Sequence, residues 1–267
     1  YMQNYYDERS HIDKAFRNWN GSIYWVQGMQ DWNVDPHQVF SGPPGTNWYT
    51  DYLEAGYSVR GMLGQWGHDY PDQWEKHENL GEGFGAEALQ NMTRWDWAQD
   101  LFEWFEYYLK GIGDEPDMIA QIQRNDGQWR IEEVWPPRDA EVYKIPLGSC
   151  TYSGVFVGGA PIVGGAAPGI GGEQSIIVEC PDINPDFDMH ISGLATVHLS
   201  AVPTFDGGQV FILMEDMMTG VRIGHATMDV RYHEGGSEPQ TVTPGQEVTM
   251  MMEFQAIDAL VPAGHGV

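Results

Sequence analysis

The sequence predicts an α/β fold followed by an all-β fold, because the spacing of its apolar residues changes along the chain. Up to about residue 113, short apolar runs alternate with segments that have helical spacing. From residue 114 onward, apolar and polar residues alternate singly, which is typical of half-buried antiparallel strands. A chain of 267 residues can hold two ordinary domains. We therefore expect an α/β region at 21–113 and a β region at 114–267, with residues 1–20 as a separate leading segment.

Two strands that flank a helix are predicted in the α/β region. The apolar run Ile23–Val26 predicts a buried strand, and residues 57–63 predict a second one. Between them, residues 46–55 carry apolar side chains at helical spacing and stop at Gly56, a residue type that often ends helices. Because a strand–helix–strand unit usually joins parallel neighbours, we expect the two strands to be parallel and adjacent.

Residues 93–113 have the pattern of an amphipathic helix. The segment from Thr93 to Asp96 resembles a capping box, and Gly111 follows the last helical turn. Six apolar residues form one stripe, which we expect to pack on the core. They are Trp97, Leu101, Trp104, Phe105, Tyr108 and Ile112.

Four strand patterns separated by glycine-containing turns occupy the β region. They cover residues 196–201, 209–215, 221–232 and 248–254. Short alternating strands joined by turns are typical of an antiparallel β-sandwich, which we predict here.

The composition is strongly acidic, with 39 Asp and Glu against 13 Lys and Arg and a net charge of −26. This charge excludes nucleic acid and anionic membrane surfaces as partners, because like charges repel. No apolar run approaches the roughly 18 residues of a membrane span, so no membrane insertion is expected. The acids are scattered and lysine is scarce, which favours the solvated coat of a halophile protein over a set of cation ligands. We favour a secreted or cell-surface location, with the cytoplasm as the alternative.

Cysteine and histidine give little sign of bound metal. A disulfide between Cys150 and Cys180 and two separate buried thiols are both compatible with the sequence. The nine histidines include no HExxH motif and no paired zinc spacing, so we predict no metal and no cofactor.

Two polar residues follow the two predicted parallel strands. Asp31 comes after the first strand and His68 after the second, so both are expected at the sheet edge where open α/β sheets place their sites. An acid followed by a histidine matches the last two members of a Ser–Asp–His triad. A turn-capping aspartate and a surface histidine are the plainer alternatives. Three neighbouring aromatic residues could line an apolar substrate pocket or simply pack; they are Trp32, Trp66 and Tyr70.

Six segments along the chain carry a family resemblance. They are Gly28–Val34, Leu63–His68, Trp104–Gly111, Gln128–Arg130, Trp135–Pro137 and Pro262–His265. In this order they resemble motifs of the X-prolyl dipeptidyl aminopeptidase and cocaine esterase family of serine hydrolases. The first two resemble its acid and histidine motifs, the third its closing catalytic helix, and the others the start and a late turn of its C-terminal jelly roll.

The resemblance implies a serine hydrolase that cleaves an amide or ester bond, with His68 as general base and Asp31 as its orienting partner. It also implies that residues 1–20 leave a cap region, 21–113 form the C-terminal half of an α/β-hydrolase domain, and 114–267 form an incomplete jelly roll. The chain contains no GxSxG, and Gly56–Arg60 lacks the last glycine of that pattern. We therefore expect the nucleophilic serine upstream of this chain. The substrate would be a peptide or an ester, with a weak preference for the peptidase branch.

A non-catalytic role is the alternative function. A β-sandwich with aromatic residues could bind glycans or join a cell-surface assembly, as a module built on a retired hydrolase. The sequence leaves the oligomeric state open, and a homo-oligomer is compatible with it.

Overall fold

The computed structural model describes residues 21–31, 48–73, 93–142, 144, 186–236 and 238–267. These residues fall into two compact units. The first comprises Tyr1–Ala140 together with His190–Gly193 and Asp258–Leu260. The second comprises Glu141–Met189, Leu194–Ile257 and Val261–Val267. The predicted leading segment 1–20 and the two cysteines, Cys150 and Cys180, lie outside the described residues.

A four-stranded sheet forms the frame of the first unit. Its strands run in the order β1-β2-β3-β4, with the first three parallel and β4 antiparallel to β3. The helix α1 lies between β1 and β2 in the chain, which confirms the predicted strand–helix–strand unit. The bounds are β1 Ser22–Gly28, α1 Trp48–Glu54, β2 Ser58–Gly64, β3 Ala120–Gln123 and β4 Trp129–Glu132.

Strand β2 is the centre of this unit's core. It has neighbours on both sides, and the side chains of Val59, Met62 and Leu63 are fully buried. Full burial of such an apolar side chain stabilises a fold by roughly 1.5–3 kcal/mol. β1 and β2 are also in register, so that Gly28 pairs with Gly64 and both strands end together. The register therefore brings the two following turns to the same level of the sheet edge.

The predicted amphipathic helix is present but buries less of its stripe than expected. Helix α2 spans Trp97–Phe105 and continues as a π-helical turn over Glu106–Lys110. Trp104 is buried, whereas Phe105 and Ile112 are about half exposed. The wider π-turn changes the angle between successive residues, so Ile112, which follows it, leaves the stripe that a regular helix would continue. Phe105 precedes the π-turn, so the turn does not account for its exposure.

The predicted capping box of this helix is wrong. Asp96 is the N-cap residue, and its side chain makes no capping hydrogen bond. Its carboxylate instead accepts two hydrogen bonds from Arg94, at 2.7 Å from Nε and 3.1 Å from Nη2. The two bonds from Arg94 occupy both carboxylate oxygens and so compete with a capping bond from a backbone amide.

Helix α2 is attached to the sheet through a carboxylate. Asp100 accepts hydrogen bonds from Arg60 at 2.8 Å, from Gln121 at 3.0 Å and from the Tyr24 hydroxyl. Burial, followed by the neighbouring carboxylate, raises the pKa of Tyr24 well above its usual range. Tyr24 therefore stays a hydrogen-bond donor at any physiological pH.

The four strand patterns of the β region are all present. Strand β5, Met189–Ala201, pairs with β8, Val248–Val261, while β6, Gln209–Glu215, pairs antiparallel with β7, Arg222–Asp229. Alternate residues of β8 are buried from Val248 to Phe254, as the period of two predicts. The described residues of these strands form two two-stranded sheets, and the jelly roll stays a prediction.

No helix among the described residues is long and apolar enough to cross a membrane.

Candidate active site

The site lies on the two turns that follow β1 and β2. Backbone hydrogen bonds join one turn to the other, from the Met29 amide to the Gly64 carbonyl at 2.7 Å and from the Gln30 amide to the Trp66 carbonyl at 3.1 Å. The parallel ladder therefore continues past the last strand residues. As a result, the residues after Gln30 and after Trp66 are held beside each other.

Glycine is required at the end of each strand by close packing rather than by an unusual backbone angle. A Cβ atom on Gly28 would lie 2.1 Å from the Trp66 carbonyl oxygen. A Cβ atom on Gly64 would lie 1.9 Å from the Trp66 ring. Both distances are far below van der Waals contact. A side chain on Gly28 would push the two turns apart, and one on Gly64 would displace the Trp66 ring of its own turn.

Asp31 and His68 meet at this edge, as their positions after the strands predict. His68 Nδ1 lies 2.9 Å from Asp31 Oδ2. The Asp31 side chain is only 4% exposed, whereas the His68 side chain is 63% exposed. Because a carboxylate can only accept, Nδ1 carries the proton, and Nε2 of a neutral ring is free to act as a base. A buried acid behind an exposed imidazole is the arrangement that general-base catalysis requires.

A glutamine at the end of β1 supports the acid. Gln27 Nε2 donates to Asp31 Oδ2 at 3.3 Å, and the Asp31 amide lies 3.4 Å from the Gly28 carbonyl. Donors that point at the carboxylate favour its ionised form and fix its orientation. Sequence reasoning missed Gln27, although its position four residues before the acid places it on the same strand end.

The three predicted pocket aromatics have different environments. Trp32 lies outside the described residues. Trp66 is fully buried and packs against Trp129, so its place is in the core and its pocket role stays a prediction. Tyr70 is exposed and stacks on Trp97 at 5.5 Å between ring centroids. Tyr70 is therefore the described member of the trio that a substrate could reach.

Metal binding finds little support in the part of the chain that the structure describes. There, no group of three or more His, Cys, Asp or Glu is arranged to hold a metal ion. Cys150 and Cys180, which the sequence leaves open as a disulfide or as two separate thiols, lie outside that part.

Comparisons with known proteins identify relatives of this chain. Residues 186–267 match the family described as the X-Pro dipeptidyl-peptidase C-terminal non-catalytic domain. A protein of Streptomyces avermitilis named as an Xaa-Pro dipeptidyl-peptidase is 21% identical over 97% of this chain and 43% of its own length. One of Bacillus cereus with the same name is 23% identical over 98% of this chain and 44% of its own. The chain thus spans less than half the length of these curated relatives.

Solved structures with the same fold are also hydrolases by name. An aminopeptidase from a marine sediment Thaumarchaeota archaeon superposes with a TM-score of 0.67 at 12% identity, over 98% of this chain and 49% of its own. An α-amino acid ester hydrolase superposes with a TM-score of 0.61 at 15% identity, over 98% of this chain and 50% of its own.

The chain therefore has the fold seen in an aminopeptidase and an α-amino acid ester hydrolase of known structure. The matches in sequence confirm the resemblance read from its motifs. The chain is similar to proteins named as Xaa-Pro dipeptidyl-peptidases, and its residues 186–267 match the model of their C-terminal non-catalytic domain.

Proposed function

We propose that this chain supplies the acid and the base of a serine hydrolase that cleaves an amide or ester bond. The observation that carries the proposal is the hydrogen bond of 2.9 Å between His68 Nδ1 and Asp31 Oδ2, with the acid buried and the imidazole exposed. The nucleophilic serine would come from a part of the protein upstream of this sequence.

Each residue has a defined task in such a reaction. His68 Nε2 takes the proton of the serine hydroxyl as its oxygen attacks the substrate carbonyl, and the imidazolium then gives that proton to the leaving amine or alcohol. A water molecule, deprotonated by the same nitrogen, next hydrolyses the acyl-enzyme and restores the serine. Asp31 keeps the proton on Nδ1 and stabilises the imidazolium through both steps.

The names of the relatives support a peptidase that releases an Xaa-Pro dipeptide. The ester hydrolase of similar fold supports the alternative, an esterase, because one fold can carry enzymes that cleave amides and enzymes that cleave esters. Amides and esters share the acyl-enzyme route and differ in the leaving group. The two branches are therefore separated by comparing an Xaa-Pro anilide with an amino acid ester of similar size.

The direct test uses a fluorophosphonate probe on the full-length natural protein that contains this sequence. The probe labels an activated serine whatever the substrate is. We expect rapid labelling of the natural protein and a loss of roughly 10³-fold or more in His68→Ala, since the serine then has no base. His265→Ala is a matched control, because His265 also binds an aspartate through Nδ1 at 2.9 Å but lies in the second unit.

Two results would contradict the proposal. One is equal labelling of His68→Ala and the natural protein while both remain folded. The other is a natural protein that neither labels nor hydrolyses anilides and esters; specific binding of a cell-surface glycan would then favour the non-catalytic module.

A further inference from the structure

Gln65 occupies a buried position between the two catalytic turns. Its side chain is almost inaccessible, and Nε2 lies 3.0 Å from the Gln123 carbonyl oxygen and 3.3 Å from that of Asp258. The same nitrogen lies 3.1 Å from the Met29 sulfur, and Oε1 accepts a hydrogen bond of 3.3 Å from Gln30 Nε2. One amide group thus contacts the acid turn, strand β3 and the segment at residue 258.

The backbone of Gln65 is held as well. Its amide donates to Gln123 Oε1 at 3.0 Å, so the two glutamines bind each other through one main-chain and one side-chain group apiece. All the atoms involved belong to the first unit. The position of this residue is therefore fixed from both its main chain and its side chain.

The set of partners requires a neutral amide. The two carbonyl oxygens need a donor, and the Gln30 amide nitrogen needs an acceptor. An aliphatic side chain would remove the donor to both carbonyl oxygens and the acceptor of Gln30 Nε2, although the Asp258 carbonyl would keep another donor, the Asn125 amide. An ionised carboxylate would supply the acceptor but would face two carbonyl oxygens without a proton to donate.

We propose that Gln65 is a positioning residue of the catalytic pair, an inference that rests on the proposed function. Gln65 stands three residues before His68, and its partner Gln30 stands next to Asp31. A shift of the Gln65 amide therefore moves both turns relative to each other. A displacement of about 1 Å can reduce a catalytic rate by roughly 10²-fold, even when it begins away from the reacting atoms.

The first experiment compares Gln65→Leu with Gln121→Leu in the full-length natural protein. Gln121 is also a buried glutamine, but its side chain binds Asp100 and Arg94 instead of the turns. We expect Gln65→Leu to lower kcat by roughly 10- to 100-fold with little change in KM, because Gln65 is buried away from substrate. Gln121→Leu should keep kcat within about twofold and lose only thermal stability.

A second variant, Gln65→Glu, gives a readout that a purely structural role would not. A protonated carboxyl group has the shape of the amide and one donor hydrogen in place of its two, whereas an ionised one repels the two carbonyl oxygens. Burial raises the pKa of such a carboxyl group. We therefore expect kcat of Gln65→Glu to fall relative to that of the natural protein as its carboxyl ionises with rising pH.

The outcomes separate this inference from the proposed function. A natural protein that does not react at all would refute the proposed function without any variant at Gln65. Activity in the natural protein, loss in His68→Ala and full kcat in folded Gln65→Leu would overturn the positioning role alone. If Gln65→Leu does not fold, the pH profile of Gln65→Glu decides. Failure of both variants to fold would make Gln65 a stability residue and would also overturn the proposal.

Discussion

Two histidine–aspartate pairs, one in each unit, have the same bond and different surroundings. In both, Nδ1 of the histidine lies 2.9 Å from an aspartate Oδ2. The aspartates are almost equally buried, but the His68 side chain is 63% exposed and the His265 side chain only 27%. The distance between the paired atoms therefore does not by itself support a catalytic role for either pair.

The surroundings of the aspartates make the difference. Asp216 uses its second oxygen to accept hydrogen bonds from the amides of Met218 and Thr219, so it closes a turn. His265 belongs to another turn, in which its own amide donates to the Pro262 carbonyl. Asp31, by contrast, stands at the end of a parallel strand, where its imidazole partner faces outward. The location at the sheet edge and the exposure of the ring are the two features that set the proposed catalytic pair apart from the second pair.

The largest expected effect separates the two aspartates by activity. Asp31→Asn should lower kcat by roughly 10⁴-fold, because an amide can donate to Nδ1 and stabilise the wrong tautomer of His68. Asp216→Asn should leave kcat within about twofold. Steady-state kinetics on the full-length protein measures both. Equal losses of kcat in the two variants would show that Asp31 has no catalytic role that Asp216 lacks.

A third pair, His190 with Asp258, has a structural role that can be measured through its effect on the free energy of unfolding. The Asp258 side chain is fully buried and accepts hydrogen bonds from Arg130, Ser192 and the Trp135 indole as well as from His190. Asp258→Ala should lower the free energy of unfolding by about 3–5 kcal/mol, since it removes the buried acceptor that four side chains share, while Arg130 keeps its ion pair with the less buried Glu132.

The matched control for this variant is Glu54→Ala. Glu54 pairs with Arg138 at 3.0 Å, and both side chains are well exposed. Its loss should cost no more than about 1 kcal/mol. Denaturant titration measures both changes, and similar values for the two variants would contradict a structural role for the buried pair.

The smallest expected effect is a pH dependence of stability from Asp216. Burial alone would raise its pKa, but the hydrogen bonds from His265, Met218 and Thr219 outweigh burial and hold the pKa below its usual range. The folded pKa is thus below the unfolded value of about 3.9, so this stabilisation is present above that pH and is lost as pH falls through the folded value. Unfolding free energies of the natural protein and Asp216→Asn should therefore converge below about pH 4. A gap that stays constant down to acid unfolding would show that the carboxylate charge contributes nothing.

Strands β1 and β2, which carry the site, are predicted well from the sequence because strands depend on local patterns. The apolar runs around Ile23 and Val59 predict β1 and β2, and chain order predicts that they are parallel. Because parallel neighbours end at the same sheet edge, the hydrogen bond between Asp31 and His68 is also expected. Their catalytic role stays a prediction.

The buried contacts that hold the two turns could not be predicted, because they join residues far apart in sequence. Gln65 reaches Gln123 and Asp258, which are 58 and 193 residues away. Glutamine is usually exposed, so nothing in its type indicates a buried role. The capping box failed for a related reason: Arg94 competes for the Asp96 carboxylate, and a motif does not show such competition.

The contact between Gln65 and residue 258 also has a consequence for the order of assembly. A ribosome adds residues from the N-terminus, so the Asp258 carbonyl is absent while strands β1 to β4 are being made. The Gln65 amide therefore lacks one of its acceptors throughout that time. The turn that carries His68 gains its full set of contacts only late in translation.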